Sequence, residues 1–224
     1  MDSYLQFWLM QHGAESVALP IEKNAMKTTQ IQLKTGSGDL VNLVQMPSTH
    51  GHYIGRRGGE IRGIVIHTAE SQELPIMAEN LGSWLAGTNP PERAGWHIAV
   101  DNNSCVQSVS FADAAWHSGA CDLYTIGIEH AGRASQSVAE WHDVYSTDML
   151  NLSAKLVACL CKLYQIPIRR PSSEEIRTQH KKGGARGIWG HVDVTKSGLG
   201  GTHTDPGQNF PWDEYLARVR AYMR

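Results

Sequence analysis

Residues able to bind a metal or move a proton recur in this 224-residue chain just after short apolar runs. Ile64-Val65-Ile66 leads into His67, Ile126-Gly127-Ile128 into Glu129, and Gly187-Ile188-Trp189-Gly190 into His191. Downstream, Thr202-His203-Thr204-Asp205-Pro206-Gly207 sets a carboxylate in turn chemistry, where its side chain can be aimed free of helical geometry. Two imidazoles and one carboxylate are the donor set of a catalytic zinc site whose fourth position is left to solvent. A structural site would be closed by four donors, commonly thiolates, and the four cysteines lack zinc-finger spacing. Two alternatives stay open at this level: Asp205 as a turn cap only, and His203 as a ligand in its place. One histidine at a strand end is more often structural; it is the repetition that points to a site.

Groups at strand ends need a rigid sheet behind them. The β-branched run 64–66 reads as a strand buried on both faces, with further strands at 125–129 and 187–191. Residues 96–100 and 106–109 flank Asp101-Asn102-Asn103 as a hairpin. Pro75 opens a helix through Ala78, Leu81, Trp84 and Leu85 that ends near Gly87 and Pro90-Pro91. Met149, Leu152, Leu156, Cys159, Leu160 and Leu163 share one face of a long core helix, capped by Ser146 or Thr147 and left at Pro167. Pro211 starts a closing helix with Tyr215, Leu216, Val219 and Tyr222 on its apolar face. The expected fold is α/β: a central mixed β-sheet flanked by helices, in a single domain over residues 61–224. Residues 1–60 read as an N-terminal extension packed on that domain, with a short strand at 40–44.

Composition narrows the partners. Hydrophobic residues make up 41% and charged residues 19%, with a formal net charge of −2. That is no nucleic-acid binder, which would carry a concentrated basic face; Arg169-Arg170 and Lys181-Lys182 read as a solvated loop. No run approaches the ~18 apolar residues of a membrane span, so no membrane insertion is expected. Met1-Asp2-Ser3-Tyr4 and the short apolar patch at 5–10 do not read as a signal peptide, which predicts a cytoplasmic protein until something releases it. Cys105, Cys121, Cys159 and Cys161 read as small buried hydrophobes; a Cys105–Cys121 disulfide stays open. A monomer is expected.

The blocks G-I-V-I-H (63–67), A-W-H-S-G (115–119), I-G-I-E (126–129), G-H-V-D-V (190–194) and T-D-P-G (204–207) together resemble the zinc N-acetylmuramoyl-L-alanine amidases. The likeness runs in the family's order and spacing over roughly residues 60 to 220. It implies Zn2+ held by His67, His191 and Asp205, with Glu129 as general base. His203 falls where many members carry a transition-state lysine, and Trp96 where some have a catalytic tyrosine; an indole does no acid–base work, so proton transfer falls to Glu129. The substrate would be bacterial peptidoglycan, cut between N-acetylmuramic acid and L-alanine. His97, Trp116 and His117 would line the groove and contact glycan or stem peptide, or else serve as structural packing. N-F-P-W-D (209–213) is similar to lysins of phages that infect actinobacteria, which implies a phage endolysin. The alternatives are a cytoplasmic muropeptide-recycling amidase and a non-catalytic peptidoglycan-binding module. H-E-x-x-H is absent, against a metallopeptidase of that kind. His12, His50, His52, His142 and His180 are left out of the site, His142 read at a helix start and His180 in a polar loop. His130 is expected to point to the opposite face from Glu129.

Overall fold

Short, almost wholly apolar strands form the centre of the molecule, as the β-branched runs predict. The computed structural model describes residues 29–56, 59–87 and 94–224. The readings at residues 1–28 and at Pro90-Pro91 lie outside the described residues. The strands are β1 (Gln30–Lys34), β2 (Leu40–Gln45), β3 (His52–Tyr53), β4 (Gly63–Thr68), β5 (Ile98–Val100), β6 (Cys105–Gln107), β7 (Ala114–Ala115), β8 (Thr125–His130) and β9 (Gly187–Gly190). Seven make one mixed sheet, ordered β1-β2-β6-β5-β8-β4-β9, and β3 pairs with β7 in a separate ribbon. β5, β8, β4 and β9 run parallel, whereas the β1–β2 and β5–β6 pairs are antiparallel.

Every residue of β4 is buried, as a strand covered on both faces requires. Ile64 and Ile66 join the main core, and Val65 joins a second cluster with Tyr124, Ile176 and Trp189. The alternation of a strand is what divides them. Gly63 leaves room for that second layer: a Cβ there would lie 2.1 Å from the Trp189 ring.

The helices are α1 (Met77–Gly87), α2 (Val138–Trp141), α3 (Val144–Tyr164), α4 (Ser173–His180), α5 (His191–Lys196) and α6 (Trp212–Ala221), with a 3-10 turn at Gly119–Tyr124. α3 buries Met149, Leu150, Ala154, Leu156, Val157 and Leu160 against the sheet. Its cap is Asp143, whose carboxylate accepts from the Ser146 backbone N–H, rather than Ser146 or Thr147 themselves. Gln165 closes it in the left-handed region at φ 53°, before Pro167.

Two expectations are corrected. The described part of residues 1–60 supplies two strands of the central sheet, because β2 pairs in parallel with β6 and β1 zips onto β2. The polar stretch after Pro171 contains α4, capped by Ser172 and braced by Glu174–Arg177, so His180 ends a helix. His142 closes α2 and contacts Glu214, one residue ahead of the Asp143 cap of α3, so it belongs to the junction of two helices. All four cysteines are free and buried, so Cys105 and Cys121 do not pair.

Candidate metal centre and active site

The site is assembled by strand register. His67 and Glu129 are direct partners across the parallel pair β4–β8, and Ile66 partners Gly190 across β4–β9. His191, one residue on, is the first residue of α5, so three functional groups line up along one sheet end. Parallel strands that leave a sheet together are well suited to this, since the rigid backbone fixes groups whose side chains reach solvent.

The loop after α5 brings Asp205 back to this row, anchored by the Val192 backbone N–H donating to the Asp205 carbonyl at 2.8 Å. His67, His191 and Asp205, all buried, offer ligand atoms within 4.8 Å of one another. Nδ1 of His67 lies 2.9 Å from Oδ2 of Asp205, and Nδ1 of His191 lies 3.6 Å from Oδ1. His203 stands beside the cluster instead of inside it. Its ring stacks on His191 at 3.8 Å between centroids and is 56% exposed, with Nδ1 3.6 Å from Asp205 Oδ1.

The electrostatics suit a cation. Burial opposes protonation of His67, but the Glu129 charge, then the hydrogen bond and charge of Asp205, raise its pKa. Burial, then the His67 charge, push His191 down to about 3. Burial works against the Asp205 carboxylate, yet the His67 hydrogen bond and charge, then His191, hold its pKa below the usual range. The surrounding charges thus favour a positive centre at the point where nitrogen and oxygen donors converge. A divalent ion accepting imidazole and carboxylate ligands fits that point.

Glu129 is the buried carboxylate beside these donors. Its Oε2 is shielded from solvent and has no hydrogen-bond partner among the described residues. Burial raises its pKa to about 7, with the His67 charge opposing and Asp205 and Glu70 adding. A carboxylate poised near neutrality is what a general base needs.

A groove of about 830 Å³ opens over these groups, lined by His67, Glu129, His191, His203 and Asp205 and on the other side by Trp84, Trp96 and Trp116. Trp96 stacks on Trp84 at 5.8 Å. Trp116 and His117 both reach the groove, held by the β3–β7 ribbon and by Asp122, whose Oδ1 accepts from the backbone N–H groups of His117 and Ser118. His97 does not line it: the side chain is fully buried, taking a hydrogen bond from the Gly127 backbone N–H at 3.0 Å with the Arg56 guanidinium 2.8 Å from its other nitrogen. Burial, then the Arg56 charge, hold its pKa well below normal. Arg56, Asp122 and Thr125 are groups that the sequence reading did not single out. Arg56 stands in a glycine-rich loop with nothing local to mark it, whereas the buried Asp122 follows A-W-H-S-G closely enough to have been noticed. His130 does turn away from Glu129, its ring nitrogens meeting the His67 carbonyl and the Ser153 hydroxyl under α3.

A mixed sheet with three converging donors and a buried carboxylate at one end of its parallel strands is an arrangement that could hold a metal ion beside an acid–base group. The chain belongs to the N-acetylmuramoyl-L-alanine amidase family, whose sequence model matches residues 57–208. It is 26% identical over 178 residues to N-acetylmuramoyl-L-alanine amidase A of Achromobacter lyticus, covering 79% of this chain and 93% of that protein. Among solved structures, the Staphylococcus aureus hydrolase AmiA in complex with its ligand shares the fold at a TM-score of 0.59 and 17% identity, over 100% of this chain and 91% of that one. A mutant endolysin from Bacillus subtilis does so at a TM-score of 0.51 and 17% identity, over 80% and 99%. Among the described residues, no helix is long and apolar enough to cross a membrane.

Proposed function

We propose that this chain is a zinc-dependent amidase that cuts peptidoglycan between N-acetylmuramic acid and L-alanine, with His67, His191 and Asp205 as the ligands. The observation that carries this reading is the convergence of those donors within 4.8 Å beside a carboxylate raised to about 7. Zinc, when bound, supplies Lewis acidity toward the scissile carbonyl and acidifies a coordinated water. The rest falls to the chain. Glu129 takes a proton from the attacking water at Oε2 and returns it to the departing alanine nitrogen. The exposed His203 ring donates an N–H to the developing oxyanion, a contact whose loss typically costs about 10²–10³ in rate. Trp116 and His117 bear on the bound glycan or stem peptide from the wall of the groove, while His97 supports them from below.

The test is mass spectrometry of digested cell wall. The reading predicts released peptides with a free N-terminal alanine, no new reducing sugar ends, and loss of release after chelation with recovery on adding zinc. New reducing ends, or cuts within the stem peptide, would refute it. Wall binding without any cleavage would support a binding module instead.

For biological role we propose a phage endolysin, held in the host cytoplasm before lysis and acting as a monomer. The support is the likeness of fold to solved structures described as endolysins. A recycling amidase would cleave soluble muropeptides faster than intact sacculi; an endolysin prefers the polymer.

A further inference from the structure

Behind His67, on the side away from Asp205, the structure holds a chain of hydrogen bonds that the catalytic proposal does not use. Nε2 of His67 lies 3.0 Å from Nδ1 of His117. Nε2 of His117 lies 3.0 Å from the Thr125 hydroxyl, and that hydroxyl donates to the Cys121 carbonyl at 2.7 Å. We propose that His117 and Thr125 are positioning residues that fix the tautomer of His67, leaving its Nδ1 lone pair as the one offered to a cation. This rests on the metal-site reading above.

A carbonyl oxygen only accepts, so the single hydroxyl proton of Thr125 is committed to Cys121. Toward His117 the hydroxyl can only accept, and His117 Nε2 therefore carries the N–H. The His117 ring is buried and no carboxylate bonds its nitrogens among the described residues, so a second proton there would be a buried charge without a counter-ion. Nδ1 of His117 is thus a lone pair, and it accepts from His67 Nε2–H. That assigns the remaining nitrogen of His67, Nδ1, as the ligand atom. Without an ion that nitrogen shares a proton with Asp205 Oδ2 at 2.9 Å, and a cation entering the donor cluster takes the place of that proton, so the relay and the cluster agree on the same atom.

Packing holds the relay in place. The His117 ring lies so close to β8 that a Cβ on Gly127 would fall 2.4 Å from its Cγ and 2.7 Å from its Nδ1. On its other side His97 meets it edge-on at 5.7 Å. The glycine of I-G-I-E therefore has a job in the site: it seats the ring that orients His67. Partners of this kind behind a metal-binding histidine typically change metal affinity by about 10–100-fold.

The experiment uses the full chain and zinc alone. Zinc affinity is measured by competition with a chromophoric chelator for the wild type, Thr125→Val and Thr125→Ser, and histidine tautomers are read in the metal-free wild type by long-range ¹⁵N–¹H NMR. The expected results are a loss of about tenfold or more for Thr125→Val, near-wild-type affinity for Thr125→Ser, and an Nε2–H tautomer at His117. Unchanged affinity in Thr125→Val, or an Nδ1–H tautomer at His117, overturns the inference while leaving the metal site standing. A wild type that binds no zinc overturns the metal-site reading and this inference with it. Should Thr125→Val fail to fold, the wild-type tautomer decides alone.

Discussion

A buried carboxylate oxygen with no hydrogen-bond partner is poorly stabilised as an anion, and this is the condition of Glu129 Oε2 among the described residues. Its pKa of about 7 makes the base form predominate only above neutrality. The kcat/KM profile should therefore rise with pH through the neutral range and level off above it. Glu129→Gln should lower kcat by about 10²–10⁴ and abolish that rise while keeping zinc content, measured by elemental analysis. An unaltered pH profile in this variant would remove Glu129 from the mechanism. His130 gives a stability prediction. Burial, only partly opposed by its bond to the His67 carbonyl, lowers its pKa to about 4, against an ordinary 6.5. The unfolded chain then binds more protons between those values, so stability is full above about 6.5 and falls as pH drops toward 4. His130→Gln should flatten this acid loss in urea titrations at pH 7.5 and 5; an equal loss would place the effect in other buried histidines. At this scale the sequence was legible where chemistry coincided with strand ends, as at His67, Glu129 and His191. It misplaced His97 as a groove-lining residue, because its burial under the groove floor depends on Arg56 from a distant loop.

Among the elements, register does the aligning. His67 faces Glu129 because β4 and β8 start together at Gly63 and Thr125, and any one-residue slip would send one of the two side chains to the opposite face. Gly127→Ala tests how tightly this layer is built, since its Cβ would meet the His117 ring at 2.4 Å. Overpacking of this kind costs about 1–3 kcal/mol, read as a lowered denaturation midpoint, and here it should also weaken zinc binding. Full stability and affinity would mean the ring has room to move. The central strands and α3 were readable because their apolar periods are long or strongly β-branched. α4 was not, because only Ile176 in it is buried and its helicity comes from a Ser172 cap and surface ion pairs. β1 was missed because its burial is partial and its partner is supplied by the following strand.

The molecule as a whole gains from any ion that binds only the folded chain, because the three candidate donors come from β4, α5 and the loop beyond it and are scattered on unfolding. At zinc a hundredfold above its dissociation constant the gain is about 2.7 kcal/mol. For a chain of this size that corresponds to a rise in Tm of roughly 5–10 °C, reversed by a chelator and absent in His191→Ala. A Tm indifferent to zinc would mean that the donors do not act together. The most direct examination of that convergence is anomalous scattering at the zinc edge from crystals of the zinc-loaded protein. One strong peak is expected, bounded by His67 Nδ1, a His191 ring nitrogen and an Asp205 oxygen, with Glu129 beside it and outside the coordination sphere. Density with no such peak, or a peak held by other residues, would contradict that convergence.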